Sequence, residues 1–115
     1  MAQPVVEPFK RVSVEEAKEM IRRGEVVIID VRQPDEYARG HIPGAKLIPL
    51  FTLLAQPREL LQEYAGKKIL FVCQVGQRSA LACEMAAAVG LSELYNLEGG
   101  TERWAQTGNP IETGS

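Results

Sequence analysis

The segment best equipped for chemistry is a loop that begins at a cysteine. Its residues are Cys73, Gln74, Val75, Gly76, Gln77, Arg78 and Ser79. Gly76 tolerates backbone angles that other residues avoid, so the loop can turn several N–H groups toward one point. If that point is the Cys73 sulfur, the amides and the dipole of a following helix stabilise the thiolate and lower the pKa of Cys73. The loop therefore predicts a cysteine nucleophile, with residues 74–79 binding its substrate.

The charge of this loop predicts how strongly it attracts an anion. Arg78 adds a fixed positive charge, and no carboxylate lies between Cys73 and Ser79. Gln74, Val75 and Gln77 are neutral, so Arg78 is the only fixed cation of the loop. A loop with additional Lys or Arg would attract a dianion more strongly. We therefore expect Arg78 to support the thiolate and bind an anionic substrate, with modest overall attraction.

Each cysteine also has a purely structural interpretation. Free cysteine is often buried as a small apolar residue, which is the alternative for Cys73. The neighbouring Gly76, Arg78 and Ser79 favour a functional role there. Cys83 lies on an Ala-rich helical stretch behind the loop, where core packing is favoured over a role as a resolving thiol.

Alternating strands and helices must position this loop. Apolar runs predict strands over residues 26–29, 46–48, 69–73 and 94–97, and helices are expected over 14–23, 35–39, 58–64, 79–89 and 101–106. Ser79 is expected to cap the helix that follows the loop. Continuous β-branched runs are typical of strands buried on both faces of a parallel sheet. The pattern predicts a three-layer α/β fold, with Cys73 at the carboxyl end of a strand, where such sheets bind ligands.

Length and composition restrict the class of protein. The 115 residues predict a single domain over 1–115, with a core of about residues 12–107, a short N-terminal arm and a frayed polar tail from Gly108. A net charge of −2 argues against binding to nucleic acid. The apolar runs are much shorter than the roughly 20 residues that a membrane-spanning helix needs. Residues 1–4 carry no basic, apolar signal pattern, so a cytoplasmic protein without membrane association is expected.

Cysteine and histidine usage argues against disulfides and metals. Two cysteines are too few for a disulfide framework, and a reducing compartment would keep both as thiols. The chain has no CxxC pair, and His41 is its only histidine. We therefore expect no metal site.

Three motifs in order resemble those of the rhodanese (thiosulfate sulfurtransferase-like) domain, in its single-domain form. The first comprises Asp30-Val31-Arg32, Glu36-Tyr37 and Gly40-His41-Ile42-Pro43-Gly44-Ala45; the second is the loop from Cys73 to Ser79; the third is Gly99-Gly100 with Trp104. The match extends from about Val12 to Trp104. It implies a central parallel five-stranded sheet flanked by helices.

The resemblance also implies a sulfur relay on Cys73. The thiolate takes sulfane sulfur from thiosulfate or a persulfide donor, becomes a persulfide, and passes the sulfur to cyanide, a thiol or a protein acceptor. No cofactor is implied, and we interpret the protein as a monomer. The neutral loop predicts weak use of thiosulfate and better use of persulfides.

Two rival functions remain open. Phosphatases and arsenate reductases of related folds use a longer Cys-x5-Arg loop, whereas this chain has Cys-x4-Arg and Val72 where many cysteine phosphatases have histidine. A non-catalytic docking module is the other alternative, although silent members of the family typically lack the cysteine that this chain retains.

Polar residues of the first motif are expected to support the structure. Asp30 and Arg32 end a buried strand, so an ion pair or hydrogen bonds from Arg32 to neighbouring loops are favoured over catalysis. His41 lies in a His-Ile-Pro-Gly turn, where packing and turn hydrogen bonds are favoured over a role as general base.

Overall fold

A parallel sheet forms the centre of the protein, which a computed structural model describes over residues 6–114. Within that range its five strands are β1 (Lys10–Val12), β2 (Val26–Asp30), β3 (Lys46–Leu47), β4 (Lys68–Val72) and β5 (Leu94–Leu97). Their order across the sheet is β1-β5-β4-β2-β3, and each neighbouring pair is parallel. Strand β4 is central, so its carboxyl end meets the ends of β2 and β5.

Helices cover both faces of the sheet. They are α1 (Val14–Arg22), α2 (Pro34–Arg39), α3 (Leu50–Ala55), α4 (Pro57–Leu61), a 3₁₀ turn (Gln62–Tyr64), α5 (Gln77–Ala88) and α6 (Gly100–Gln106). Ile69 and Phe71 of β4 pack into a core with helices α3, α4 and α5. Leu70 and Val72 point to the other face, into a core with α1 and α6. Because successive residues of a strand face opposite sides, β4 needs an uninterrupted apolar run.

Several boundaries differ from those expected. The short edge strand β1 was not predicted, since three residues carry little pattern. The helix expected over residues 58–64 forms as α4 followed by the 3₁₀ turn, and a separate helix, α3, precedes it with Gln56 between the two. Proline disfavours helical geometry in the residue before it, and Gln56 has φ −138° and ψ 55°. Helix α5 begins at Gln77, and its N-cap is Gly76, so the prediction that Ser79 caps this helix is wrong.

The C-terminal segment is attached to the domain, so the prediction of a frayed tail is wrong for residues 108–114. Glu112 forms an isolated antiparallel bridge with His41, through hydrogen bonds of 2.8 and 2.9 Å. Trp104 Nε1 donates to the Pro110 carbonyl at 2.8 Å. The C-terminal segment is therefore held against the domain despite its polar composition. Residues 1–5 of the predicted arm and Ser115 lie outside the described residues.

Helix length also bears on membrane association. Among residues 6–114, the structure contains no helix long and apolar enough to cross a membrane.

Candidate functional site

The segment from Cys73 to Ser79, called the Cys73 loop below, winds around its own cysteine sulfur. Strand β4 ends at Val72 and helix α5 starts at Gln77, so few residues connect them. The Gly76 N–H donates to Cys73 Sγ at 3.1 Å, and Ser79 Oγ lies 3.4 Å from the same sulfur. Cys73 is only 1% exposed. The sulfur is therefore surrounded by hydrogen-bond donors of the protein.

Two glycines allow this winding. Gly76 has φ +107°, a left-handed conformation that side chains rarely adopt. Gly100 has φ +62°, and a Cβ there would lie 2.6 Å from the Cys73 carbonyl oxygen. This close approach lets the amides that open α6 reach the loop: the N–H of Thr101 donates to the Cys73 carbonyl at 2.8 Å, and that of Glu102 to the Gln74 carbonyl at 3.0 Å.

Asn96 is a site residue that sequence reasoning missed. It lies in β5 and is fully buried. Its Nδ2 donates to the Gly76 carbonyl at 3.0 Å, and its Oδ1 accepts from the Ser79 hydroxyl. The available signal was an amide within an otherwise apolar strand, since buried polar groups need partners.

Hydrogen bonds determine the ionisation of Cys73. Burial is the largest single influence and raises the pKa of the thiol, but donors to the sulfur together outweigh it. These donors are the Ser79 hydroxyl and the amides of Ser79, Gly76 and Val75. The pKa of Cys73 therefore lies below its ordinary value, which favours a nucleophilic thiolate.

Cys83 has the opposite character. It is fully buried, and its thiol donates to the Tyr95 carbonyl at 3.4 Å. Burial raises the pKa of Cys83 far above its ordinary value, so this thiol stays protonated.

The positive charge of Arg78 is opposed by a carboxylate from another element. Its guanidinium donates to both Glu36 oxygens, at 2.7 and 2.8 Å. This pairing lowers the pKa of Glu36 to about 2, which keeps the carboxylate ionised at neutral pH. The loop itself contains no carboxylate, but α2 carries Glu36 to Arg78, 42 residues away in sequence. The pair is largely neutral toward an approaching anion.

Arg32 connects β2, the end of α2 and the Cys73 loop. It forms a buried ion pair with Asp30 at 2.8 Å. Its remaining donors reach the Gly40 carbonyl at 2.7 Å and Gln74 Oε1 at 3.3 Å. The guanidinium thus orients the side chain of Gln74, the residue that follows Cys73.

Three further residues from the sequence predictions are His41, Val75 and Gln77. His41 stacks on Tyr37 with 3.7 Å between ring centroids, and its Nδ1 lies 2.8 Å from the Tyr37 carbonyl. Val75 is 48% exposed, and Gln77 is exposed at the start of α5. Within residues 6–114, no group of three or more His, Cys, Asp or Glu residues is placed to hold a metal ion.

Comparison with known families agrees with this geometry. Residues 13–107 match the model of the Rhodanese-like domain. The chain belongs to this family. The predictions of the family and of an α/β fold with a central five-stranded parallel sheet, as seen in residues 6–114, are confirmed.

Individual relatives of this rhodanese-like chain have differing descriptions. It is 36% identical over 96 residues to the uncharacterized protein YqhL of Bacillus subtilis (strain 168), covering 84% of this chain and 72% of the relative. It is 28% identical to thiosulfate sulfurtransferase GlpE of Pseudoalteromonas translucida (strain TAC 125), covering 84% and 89%. A solved structure from Rhodopseudomonas palustris CGA009, of unknown function and described as a possible tyrosine phosphatase, is 30% identical with a TM-score of 0.80, covering 97% of this chain and 99% of the other.

The contact between Gly100 and the Cys73 loop generates a prediction for Gly100→Ala. We expect a loss of about 2–4 kcal/mol in the free energy of unfolding, from left-handed strain plus overlap with two carbonyl groups. We also expect slower alkylation of Cys73, because the loop must shift. Urea denaturation and iodoacetamide kinetics measure both quantities.

Gly24→Ala is the matched control. Gly24 has a similar φ of +68°, but a Cβ there would meet no atom within 4 Å. It should lose only about 1–2 kcal/mol and leave Cys73 alkylation unchanged. Equal effects of the two substitutions would contradict a specific role for Gly100.

Proposed function

We propose that this protein is a sulfurtransferase that carries sulfane sulfur as a persulfide on Cys73. The observation that carries the proposal is the set of N–H and O–H donors around a buried Cys73 whose pKa is lowered, in a rhodanese-like domain. The 28% identity to a thiosulfate sulfurtransferase supports the same reaction class.

The reaction proceeds through two displacements at sulfur. The Cys73 thiolate attacks the outer sulfur of thiosulfate; an S–S bond forms, the donor's S–S bond breaks, and sulfite leaves with the electron pair. An acceptor thiolate or cyanide then attacks the outer sulfur of the persulfide, and the Cys73 thiolate leaves. The lowered pKa of Cys73 favours the thiolate and so reduces the need for a general base.

Residues 74–79 support donor binding in distinct ways. The amides of Val75, Gly76 and Ser79 are donors for negative charge on sulfur. Gln74 is held by Arg32, Gln77 is exposed at the start of α5, and we propose that both contact the donor. Arg78 contributes the only cation of the loop. These assignments make the Cys73 loop the donor site and Cys73 the catalytic residue.

Charge pairing at the site supports a preference among donors. Because Glu36 occupies both ends of the Arg78 guanidinium, a dianion gains little electrostatic attraction. We infer weak use of thiosulfate and better use of less highly charged persulfides. The acceptor is cyanide, a small thiol or a protein thiol.

Phosphatase activity is the competing enzymatic function, favoured by the structural likeness to a possible tyrosine phosphatase. The Cys-x4-Arg spacing and the occupied Arg78 both disfavour a phosphate dianion. A docking module without catalysis is the other competitor, and the lowered pKa of Cys73 argues against it. We also propose that the protein is a monomer in the cytoplasm.

One prediction of this proposal concerns the two cysteines. Reduced protein incubated with thiosulfate should gain one sulfur on Cys73 and release sulfite, as measured by intact-protein mass spectrometry and sulfite assay. Cys73→Ser should abolish both, whereas Cys83→Ser should retain most of the activity, because burial keeps that thiol protonated.

Outcomes of this experiment separate the functions. Comparable losses in both variants would indicate a relay between two thiols. Absence of added sulfur from thiosulfate and from a small persulfide would overturn the proposal, and hydrolysis of an aryl phosphate would then favour the phosphatase.

Another prediction of the proposal concerns Glu36→Gln. Removing the carboxylate charge should raise kcat/KM for thiosulfate about fivefold, the effect of roughly one unit charge at contact distance in water. The value for a monoanionic alkyl persulfide, whose terminal sulfur also leaves a persulfide on Cys73, should rise less because its charge is smaller. Steady-state kinetics with both donors measure the ratio.

Asp35→Asn provides a matched control on the same helix. It removes the same charge from an exposed side chain that pairs with Arg39 instead of Arg78. An equal gain in thiosulfate use from Asp35→Asn would show a general charge effect and refute a specific role of Glu36.

A further inference from the structure

The hydroxyl of Ser79 lies between two acceptors but has only one proton. Its oxygen is 2.5 Å from Asn96 Oδ1 and 3.4 Å from Cys73 Sγ. Ser79 and Asn96 are fully buried, and Cys73 is 1% exposed. The proton must therefore be directed at one acceptor or the other.

The other end of the Asn96 amide determines its orientation. Nδ2 donates to the Gly76 carbonyl at 3.0 Å, which leaves Oδ1 as the acceptor facing Ser79. The Gly76 N–H, in turn, donates to the sulfur at 3.1 Å. Asn96 thus holds both the hydroxyl and the backbone that contact Cys73 Sγ.

The charge on Sγ determines which acceptor is favoured. When Cys73 is a thiolate, the hydroxyl gains a charge-assisted hydrogen bond by turning to sulfur. When Cys73 is a persulfide, the negative charge lies on the outer sulfur, and Asn96 Oδ1 becomes the better acceptor for Ser79. The hydroxyl keeps its proton in both positions and only reorients.

We propose that Asn96 is a positioning residue that offers the Ser79 hydroxyl a second acceptor, so that this hydrogen bond follows the charge on Cys73 Sγ through both displacements. The statement about displacements rests on the proposed sulfurtransferase function. In the second displacement, Ser79 turns back to stabilise the departing thiolate. The competition between acceptors exists in the protein without any sulfur donor and is testable there.

Several charged residues lie on the elements around Cys73. They are Asp30 and Arg32 at the end of β2, Glu36 on α2, Arg78 on α5, and Glu102 and Arg103 on α6. Asp30 pairs with Arg32, and Glu36 pairs with Arg78. Substitution at Asn96 or Ser79 by alanine changes none of these charges, so their influence is common to all variants compared.

A double-mutant cycle on the pKa of Cys73 tests the proposal. The rate of iodoacetamide alkylation is measured against pH for wild type, Asn96→Ala, Ser79→Ala and the double variant. Ser79→Ala should raise the pKa of Cys73 by removing a donor. Any loosening of the loop by Asn96→Ala occurs with and without Ser79 and cancels in the cycle.

The expected coupling has a definite sign. Because Asn96 competes with sulfur for the hydroxyl, Asn96→Ala should increase the thiolate fraction more with Ser79 present than without it, by about threefold, within the range for one hydrogen bond. Additive shifts, or coupling of the opposite sign, would overturn the inference. A merely structural role would produce additive shifts.

A second measurement avoids variants of Asn96 altogether. In ¹⁵N NMR spectra, the Asn96 side-chain amide should titrate with the pKa of Cys73 in wild type and lose most of that response in Ser79→Ala. An undiminished response without the hydroxyl would also overturn the inference. Incubation of wild type with thiosulfate and with a small persulfide distinguishes the two proposals. Failure to gain sulfur from both donors overturns the proposed function, whereas additive coupling overturns only the role of Asn96.

Discussion

A sulfur anion without access to water requires hydrogen-bond donors from the protein, and the arrangement around Cys73 meets this constraint. Burial disfavours the thiolate, so donors must be held where water would otherwise be. Gly76 adopts a left-handed conformation, Gly100 gives the α6 amides access to the loop carbonyls, and Asn96 holds the Gly76 carbonyl. The ends of β4 and β5 and the starts of α5 and α6 therefore depend on one another.

The charged residues near the loop complement this arrangement by pairing among themselves. Asp30 with Arg32 and Glu36 with Arg78 each satisfy a guanidinium with a carboxylate, and both arginines connect segments distant in sequence. Neutral donors stabilise the sulfur, whereas the ion pairs orient Gln74 and join α2 to α5. In the proposed sulfurtransferase, this division separates activation of Cys73 from attraction of the sulfur donor. Under that proposal, the choice of sulfur donor can change at Glu36 without altering the hydrogen-bond donors to Sγ.

Local sequence patterns predicted the fold well because the central strands contain continuous apolar runs, which indicate burial on both faces of a sheet. The run from Ile69 to Val72 indicated a strand covered on both sides, and Cys73 was expected at its carboxyl end. Contacts between distant segments were not predictable in this way: Glu36 reaches Arg78, Asn96 reaches Ser79, and Glu112 pairs with His41. The short strand β1 is recognisable only from its pairing with β5. Its three residues contain too little periodicity to indicate a strand alone.

The two cysteines show that hydrogen-bond donors, and not exposure, decide which thiol has a lowered pKa. Both are buried in the same core, at 1% and 0% exposure, and burial raises the pKa of each. Cys73 faces N–H and O–H donors, whereas Cys83 faces a carbonyl acceptor that favours its protonated form. In the proposed persulfide, the attacked sulfur lies about 2 Å beyond Sγ, the length of an S–S bond. An acceptor thus need not reach the buried Sγ, and strong solvation by fixed donors is compatible with transfer.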